Sequence, residues 1–201
     1  MELNMPLASM FGRVDGAVLT VLSRGSASLN GRQIERVLGG SVSIKGVQGG
    51  LARLVRTGLV LAVHRQAETL YRVNRDHLLW PAVVAAADSL PELRRRIRDL
   101  AHRSAPAGAS VVLYGSVERG ESTLESDVDL LVVLPDGASG DAGDDFVDEL
   151  ARNVELWSGN SAQVIQIREG ALRESARRDD PLVDLWMHAS EVLVGQLPEV
   201  V

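Results

Sequence analysis

The sequence predicts a mixed α/β protein, of the α+β kind overall, with a helical N-terminal part and a C-terminal part built on a small mixed sheet. Two patterns indicate this class. In residues 1–76 the apolar residues first recur at helical spacing and then alternate, whereas in residues 107–201 apolar strand-like runs alternate with amphipathic helices. The hydrophobic fraction of 45% is sufficient to bury a core. We expect one domain at residues 1–76, a helical connector at 77–106 and a second domain at 107–201.

The first domain is predicted to contain three helices followed by a pair of short strands. Gly25 and Gly58 end the first and third helices, and Asn30 is placed to cap the second. After Gly58 the apolar period changes to that of a strand, and two strands flank a polar tip at residues 66–68. The predicted elements are helices at residues 13–23, 31–38 and 43–57 and strands at residues 59–65 and 69–73.

This order of elements is similar to a winged helix-turn-helix domain over residues 10–76. In such a fold the third helix enters the major groove of DNA, and the hairpin contacts the backbone or the minor groove. The resemblance implies that residues of the first helical turn contact bases and that the later arginines contact phosphates. The DNA-binding candidates are Ser43, Lys45, Gln48, Arg53, Arg56 and Arg65. The alternative is a winged helix that binds protein, whose arginines are ordinary solvated surface.

The charges are unevenly distributed along the chain. Residues 1–76 contain ten basic and five acidic residues, a balance of +5, and residues 77–201 contain eleven and 22, a balance of −11. The two balances sum to the net charge of −6. Because a basic surface attracts polyanions and an acidic one repels them, the two parts are expected to have different partners, with DNA the partner of residues 1–76.

The connector is predicted to form two helical pieces separated by Pro91. The second piece carries a run of arginines that could contact nucleic acid or form a solvated face. Leu93, Ile97 and Leu100 keep strict helical spacing within this run, which favours the solvated face. The arginines concerned are Arg94, Arg95, Arg96 and Arg98.

The most informative pattern in the chain lies between two predicted strands. A buried run ending at Tyr114 is broken by Gly115 and Ser116, and after ten further residues Asp127 and Asp129 begin a second apolar run. Two carboxylates at positions i and i+2 of a strand point to the same face. Such a pair is unfavourable unless a cation lies between them, and oxygen ligands beside a glycine turn suit Mg²⁺ that carries the phosphates of a nucleotide. The alternative is an acidic hairpin turn that only solvates a loop.

This arrangement resembles the nucleotidyltransferase fold of the DNA polymerase β superfamily, especially its minimal bacterial members, over residues 107–197. The resemblance implies that Asp127 and Asp129 are catalytic and bind Mg²⁺ or Mn²⁺, with a nucleoside triphosphate (NTP) as substrate. It also implies that the glycine turn and the loop after it bind the nucleotide. The nucleotide-binding candidates are Gly115, Ser116, Arg119 and Ser126.

The rest of the second domain is expected to pack helices on one side of the sheet. Family members that are active usually carry a third carboxylate on the following strand, where this chain has Gln163. Since the amide of Gln163 is neutral, catalysis is in question, and whether the chain is an enzyme stays open. The further elements are a loop at 135–145, helices at 146–157, 169–177 and 181–187, and strands at 162–167 and 191–194.

Two main functions remain. The first is Mg²⁺-dependent transfer of a nucleotide to a macromolecular acceptor, either a protein or a tRNA. A toxin–antitoxin system is one setting for this transfer. The second is a DNA-binding transcriptional regulator whose degenerate transferase domain only binds a nucleotide or a partner. A third and weaker one is a pure interaction protein that neutralises a partner.

The remaining expectations concern compartment and assembly. The absence of cysteine, of a signal peptide and of a membrane-spanning run predicts a cytoplasmic protein without a membrane partner. Because winged helices that read palindromes are often dimers, we expect a homodimer.

Overall fold

The computed structural model describes residues 1–65 and 68–199, so that Gln66 and Ala67 of the predicted polar tip lie outside the described residues. The described chain divides into two compact units. The N-terminal unit is Met5–Ser89, and the C-terminal unit combines Met1–Asn4 with Leu90–Val201. The mixed α/β class is confirmed, with helices and a hairpin in the first unit and a four-stranded mixed sheet with helices in the second.

The N-terminal unit has the predicted three helices and hairpin. An additional short helix precedes them, for which the sequence offers little signal because it has only six residues and no side-chain cap. The hairpin strands pair antiparallel, with Val60 opposite Val73 and His64 opposite Thr69. The elements are α1 Pro6–Phe11, α2 Arg13–Ser23, α3 Gly31–Val37, α4 Ile44–Arg56, β1 Val60–Arg65, β2 Glu68–Val73 and α5 Trp80–Ala87.

Local sequence explains where these helices begin and how closely they pack. The Asn30 side chain accepts a hydrogen bond from the main-chain nitrogen of Gln33, and the Gln33 side chain accepts one from the main-chain nitrogen of Asn30. These two hydrogen bonds form a capping box at the start of α3. Gly50 in α4 faces α2, where a Cβ atom would lie 3.0 Å from an oxygen of Asp15 and 3.2 Å from a methyl of Val14. A glycine that is unfavourable in a helix by about 1 kcal/mol therefore permits close contact between α2 and α4.

The C-terminal unit is organised around a sheet of strand order β5-β4-β3-β6. β4 and β5 run parallel, whereas β3 pairs antiparallel with both β4 and β6. The elements are α6 Ser89–Ser104, β3 Ser110–Tyr114, α7 Gly115–Glu118, β4 Val128–Leu134, α8 Gly140–Ser158, β5 Ala162–Arg168, α9 Glu169–Ala176, α10 Pro181–His188 and β6 Ser190–Val194.

Helices cover both faces of this sheet, so the expectation that they pack on one side is wrong. One face of the sheet packs against α6 and α8 and contains Val111, Leu113 and the even-numbered residues of β4. The opposite face packs against α9 and α10 and contains Val112, Tyr114, Leu131 and Val133. Nearly every residue of β3 and β4 is apolar, a pattern typical of strands that are buried on both faces.

Helix α8 begins at Gly140, within the segment predicted to be a loop at 135–145. The glycine and aspartate content of this segment favours a loop, but its tertiary contacts stabilise helix. Gly143 is buried against the side chain of Leu134, and Asp144 accepts a hydrogen bond from Gln166 at 2.9 Å. Packing thus overrides local propensity here.

The arginines of α6 form ion pairs within the C-terminal unit. Arg95 and Arg96 bind Glu92, and Arg94 and Arg98 bind Glu191 of β6. Their engagement with carboxylates agrees with the solvated-face interpretation rather than with nucleic-acid contact. Across residues 1–65 and 68–199, none of the helices combines the length and the apolar character needed to cross a membrane.

Candidate active site

The two aspartates of the motif lie where β4 begins, beside the turn that follows β3. Asp127 directly precedes β4 and Asp129 is its second residue, directly opposite Tyr114 in the antiparallel register. The chain turns sharply at Gly115 into the short helix α7, which begins with Gly115 and Ser116. The glycine turn and the two carboxylates therefore meet at one end of the β3–β4 pair, although ten residues separate them along the chain.

Gly115 is required at this turn for two reasons. Its φ of +77° lies in the left-handed region that favours glycine. A Cβ atom at this position would also collide with an Oδ of Asp129 and lie 2.8 Å from its Cγ. The Asp129 carboxylate thus packs directly against the glycine backbone, which explains why a glycine and the second aspartate occur together in the motif.

The two carboxylates have no compensating ion pair among the described residues. Burial raises the pKa of Asp129, and the neighbouring charge of Asp127 raises it further, whereas Arg119 acts in the opposite direction. Arg119 itself forms an ion pair with Glu121 at 3.0 Å. Two like charges placed together in a partly buried site are unfavourable for the isolated protein and are typical of a site that binds a cation.

Gln163 lies beside the aspartates because β5 runs parallel to β4. It is the register partner of Asp129, and its side-chain nitrogen donates a hydrogen bond to Oδ2 of Asp127 at 2.6 Å. The position next to the two carboxylates is therefore filled by a neutral amide. This amide orients Asp127 and adds no negative charge.

The donor set fits a cation that arrives with its substrate. No group of three or more His, Cys, Asp or Glu side chains suited to a metal occurs in the described parts of the chain. Mg²⁺ commonly uses one or two protein carboxylates and completes its coordination with water and substrate phosphates. Asp127 and Asp129 can supply those carboxylates, so the residues present fit Mg²⁺ bound together with a triphosphate.

The other nucleotide-binding candidates lie in α7 and in the loop between α7 and β4. Arg119 follows the last residue of α7, and Ser116 lies in its first turn. The hydroxyl of Ser126 accepts from the main-chain nitrogen of Thr123 at 2.8 Å. The structure thus packs Gly115 against Asp129 and brings Arg119 close enough to influence the charge of Asp129, while Ser116 follows Gly115 in α7 and Ser126 shapes the loop through its own hydrogen bond.

Tyr114 and Trp186 belong to the same region and were missed from the sequence. Their rings meet edge to face at 6.1 Å, and Trp186 comes from α10, far along the chain. Burial and the charge of Asp129 raise the pKa of the Tyr114 hydroxyl, whereas Trp186 lowers it. The sequence signal for this aromatic pair was the position of Tyr114 directly before Gly115, and an aromatic residue at that position is equally typical of the hydrophobic core.

The DNA-binding candidates of the N-terminal unit are in two different situations. Lys45, Gln48, Arg56 and Arg65 are exposed. Ser43 caps α4 by accepting from the main-chain nitrogen of Gly46. Arg53 binds the carboxylate of Asp15 on α2 through two of its nitrogens, at distances from 2.6 to 3.2 Å. This pairing joins α4 to α2 and neutralises the charge of Arg53.

Comparisons with known proteins bear on the C-terminal unit. A family described as "Nucleotidyltransferase domain" matches residues 90–181, which confirms that this segment resembles a nucleotidyltransferase domain. The match begins at residue 90 and so does not bear on the winged-helix prediction. Among solved structures, a crystal structure of a toxin-antitoxin with AMP-PNP matches at 17% identity and a TM-score of 0.35, over 51% of this chain and 73% of that chain. No curated protein matches the chain.

Proposed function

We propose that the C-terminal unit binds an NTP with Mg²⁺ and transfers its nucleotidyl group to a macromolecular acceptor. The observation that carries this proposal is the packing of the Asp129 carboxylate against Gly115, next to Asp127 and without an ion pair among the described residues. A glycine turn suits the close approach of phosphates, and the carboxylates suit the cation that accompanies them.

In this proposal the residues of the chain have distinct roles. Asp127 and Asp129 hold Mg²⁺ or Mn²⁺, which when bound neutralises triphosphate charge and makes the acceptor hydroxyl more acidic. The main chain at Gly115 and the Ser116 hydroxyl bind the β- and γ-phosphates, and Arg119 adds positive charge near them. The acceptor oxygen forms a bond to the α-phosphorus as the bond to pyrophosphate breaks, and the acceptor proton passes to water.

The test is Mg²⁺-dependent ATP binding measured by calorimetry on the full chain. We expect the double variant Asp127→Ala/Asp129→Ala to bind at least about 100-fold more weakly, since both protein ligands of the cation are removed. The double variant Asp145→Ala/Asp148→Ala changes the net charge equally at exposed positions of α8 and should bind like the wild type. A wild type that binds none of the four NTPs would contradict the proposal.

The acceptor is proposed to be a protein or a tRNA, as in a toxin–antitoxin system. Incubation of the full chain with an α-labelled NTP and a cell extract should label a macromolecule. Protease sensitivity of the label would identify a protein acceptor, and ribonuclease sensitivity would identify an RNA. The proposed homodimer is checked separately by light scattering in solution.

A second candidate function is a regulator that binds the nucleotide without transferring it, and Gln163 is the observation that favours it. The amide of Gln163 occupies the position beside Asp129 and donates to Asp127, so the site has two carboxylates instead of three. The variant Gln163→Glu would restore a third carboxylate. This candidate would be supported if the wild type binds an NTP without transferring its nucleotidyl group and Gln163→Glu does transfer it. Transfer by the wild type would exclude the candidate.

As a regulator, the chain would bind DNA through its N-terminal unit. Lys45, Gln48, Arg56 and Arg65 are exposed on α4 and on the hairpin, as a DNA-contacting surface requires. Retardation of duplex DNA by the full chain should weaken as salt rises, because phosphate contacts release counterions. Absence of any retardation at low salt would remove this candidate.

A further inference from the structure

The first four residues belong to the C-terminal unit and not to the helical unit that follows them in sequence. We call residues 1–4 the N-terminal strap. Leu3 is 1% exposed and lies in the same core cluster as Val117 and Val128, the residues that flank the loop of the candidate active site. The strap is therefore anchored in the same core as the residues at the two ends of that loop.

Asn4 of the strap binds both sides of the loop. Its side-chain nitrogen donates to the main-chain oxygen of Val117 at 3.0 Å, and its side-chain oxygen accepts from the main-chain nitrogen of Ser122 at 3.1 Å. The Ser122 hydroxyl also donates to this oxygen and accepts from the Asn4 main-chain nitrogen at 3.3 Å. The Asn4 amide thus closes residues 117–122 into a ring, and that ring contains Arg119.

Among the described residues, the hydrogen bonds of Ser122 are all with Asn4. It is only 7% exposed, so its hydroxyl and main-chain nitrogen depend on Asn4 for their hydrogen bonds. A buried polar group without its partner is strongly unfavourable, and a loop that loses this partner is expected to rearrange.

A second contact holds the far end of the loop. The main-chain nitrogen of Met1 donates to the side-chain oxygen of Asn160 at 2.8 Å, and the Asn160 side-chain nitrogen donates to the main-chain oxygen of Ser126 at 2.9 Å. Asn160 is 4% exposed. Ser126 directly precedes Asp127, so the strap is linked to both ends of the segment between α7 and the first aspartate.

We infer that Asn4 is a positioning residue for triphosphate binding, which holds the loop of residues 117–122 and its Arg119 in place beside Gly115 and Asp129. This inference rests on the proposed nucleotide site. The amide is suited to the role because it donates to Val117 and accepts from Ser122 at the same time, which neither an ionised carboxylate nor an alanine can do. Asn4 itself does not contact the nucleotide.

The decisive variant is Asn4→Asp in the full chain, because it keeps the size of the side chain and removes the donor to Val117. It also adds one negative charge, which the control variant carries as well. Asn153→Asp is the matched control: Asn153 is a half-buried asparagine of α8 that donates to the main-chain oxygen of Glu149, away from the loop. Two quantities are compared with the wild type, namely hydrogen exchange of the loop amides in the nucleotide-free protein and the affinities for Mg·ATP and for AMP.

We expect Asn4→Asp to speed exchange of the amides of residues 119–122 and to weaken Mg·ATP binding about tenfold, with less than about a threefold change for AMP. The difference arises because the loop faces the β- and γ-phosphates, which AMP lacks. A structural role alone would lower the melting temperature and weaken both nucleotides equally, and that result would overturn the inference.

Unchanged exchange in the loop of Asn4→Asp would also overturn the inference, whatever the nucleotide data show. A wild type that binds no Mg·ATP would instead overturn the proposed function, and the positioning role would fall with it. If Asn4→Asp does not fold, Ser122→Ala removes the hydroxyl from the other side of the same contact and must show the same selective loss of Mg·ATP affinity.

Discussion

The two units differ in whether their clustered charges are paired with opposite charges. In the N-terminal unit the Arg53 guanidinium is paired with Asp15 across two helices, and the other basic residues of α4 point to solvent. In the C-terminal unit Asp127 and Asp129 lie side by side, with a neutral amide and no ion pair among the described residues. The first arrangement is stable by itself, whereas the second becomes favourable when a cation binds. Uncompensated like charge is therefore the better indicator of a site in this molecule.

The largest expected effect comes from Gly115→Ala. The added Cβ would collide with the Asp129 carboxylate and would occupy a left-handed backbone conformation, so Mg·ATP affinity should fall by at least about 100-fold, which corresponds to about 2.7 kcal/mol. Calorimetry measures the affinity and thermal unfolding measures the stability.

Gly159→Ala is the matched control for this prediction. Gly159 has a φ of +70° and nothing within 4 Å of an added Cβ, so its substitution introduces the backbone strain without the collision. Both variants should lose stability, and only Gly115→Ala should lose nucleotide binding. Equal binding by the two variants would show that contact with Asp129 is unimportant.

Asp129→Asn tests whether the carboxylate pair destabilises the folded, nucleotide-free protein. Removing the charge ends both the cost of burying it and its repulsion from Asp127, so the melting temperature should rise while Mg²⁺-dependent binding weakens. Asp148→Asn, at an exposed position of α8, should change neither quantity. A lower melting temperature for Asp129→Asn would contradict this view of the site.

Arg53→Ala and Arg56→Ala separate a paired arginine from an exposed one on the same helix. Arg53→Ala should lower the melting temperature, because Asp15, whose side chain is 15% exposed, loses its partner. Arg56→Ala should leave the melting temperature unchanged and lower DNA affinity, with the salt slope reduced by about 0.9 for the lost phosphate contact. DNA affinity that responds to neither variant would argue for a winged helix that binds protein.

The smallest effect concerns Glu92, whose pKa is lowered from 4.5 to about 2 by hydrogen bonds from Arg95 and Arg96. A depressed pKa means that the carboxylate stabilises the folded state above pH 4.5, and this contribution is lost as the pH falls towards 2. Wild type should therefore melt slightly above Glu92→Gln at pH 6, and the difference should vanish near pH 2. High salt should reduce the difference, because the group is exposed. A difference that is constant with pH would mean that the ion pairs contribute nothing.

Sequence reasoning was most successful where structure follows from neighbouring residues. Helices α2 to α4 and the hairpin of the N-terminal unit were predicted within one or two residues, since periodicity and caps such as Asn30 act locally, whereas the short α1 was not predicted. The start of α8 was predicted too late because the glycine and aspartate content of its first turns favours a loop. The contacts of Gly143 with Leu134 and of Asp144 with Gln166, which the local sequence does not reveal, stabilise those turns as helix.

For the candidate site, the sequence by itself determined the glycine turn and the two aspartates, because alternation along a strand places residues 127 and 129 on the same face. Only the tertiary structure decided which groups surround them. It placed β5 parallel to β4, which brings Gln163 to Asp127, and it placed Asn4 against Ser122, 118 positions further along the chain. Local periodicity carries no information about which distant segments pack together, because that choice depends on the burial of the whole core.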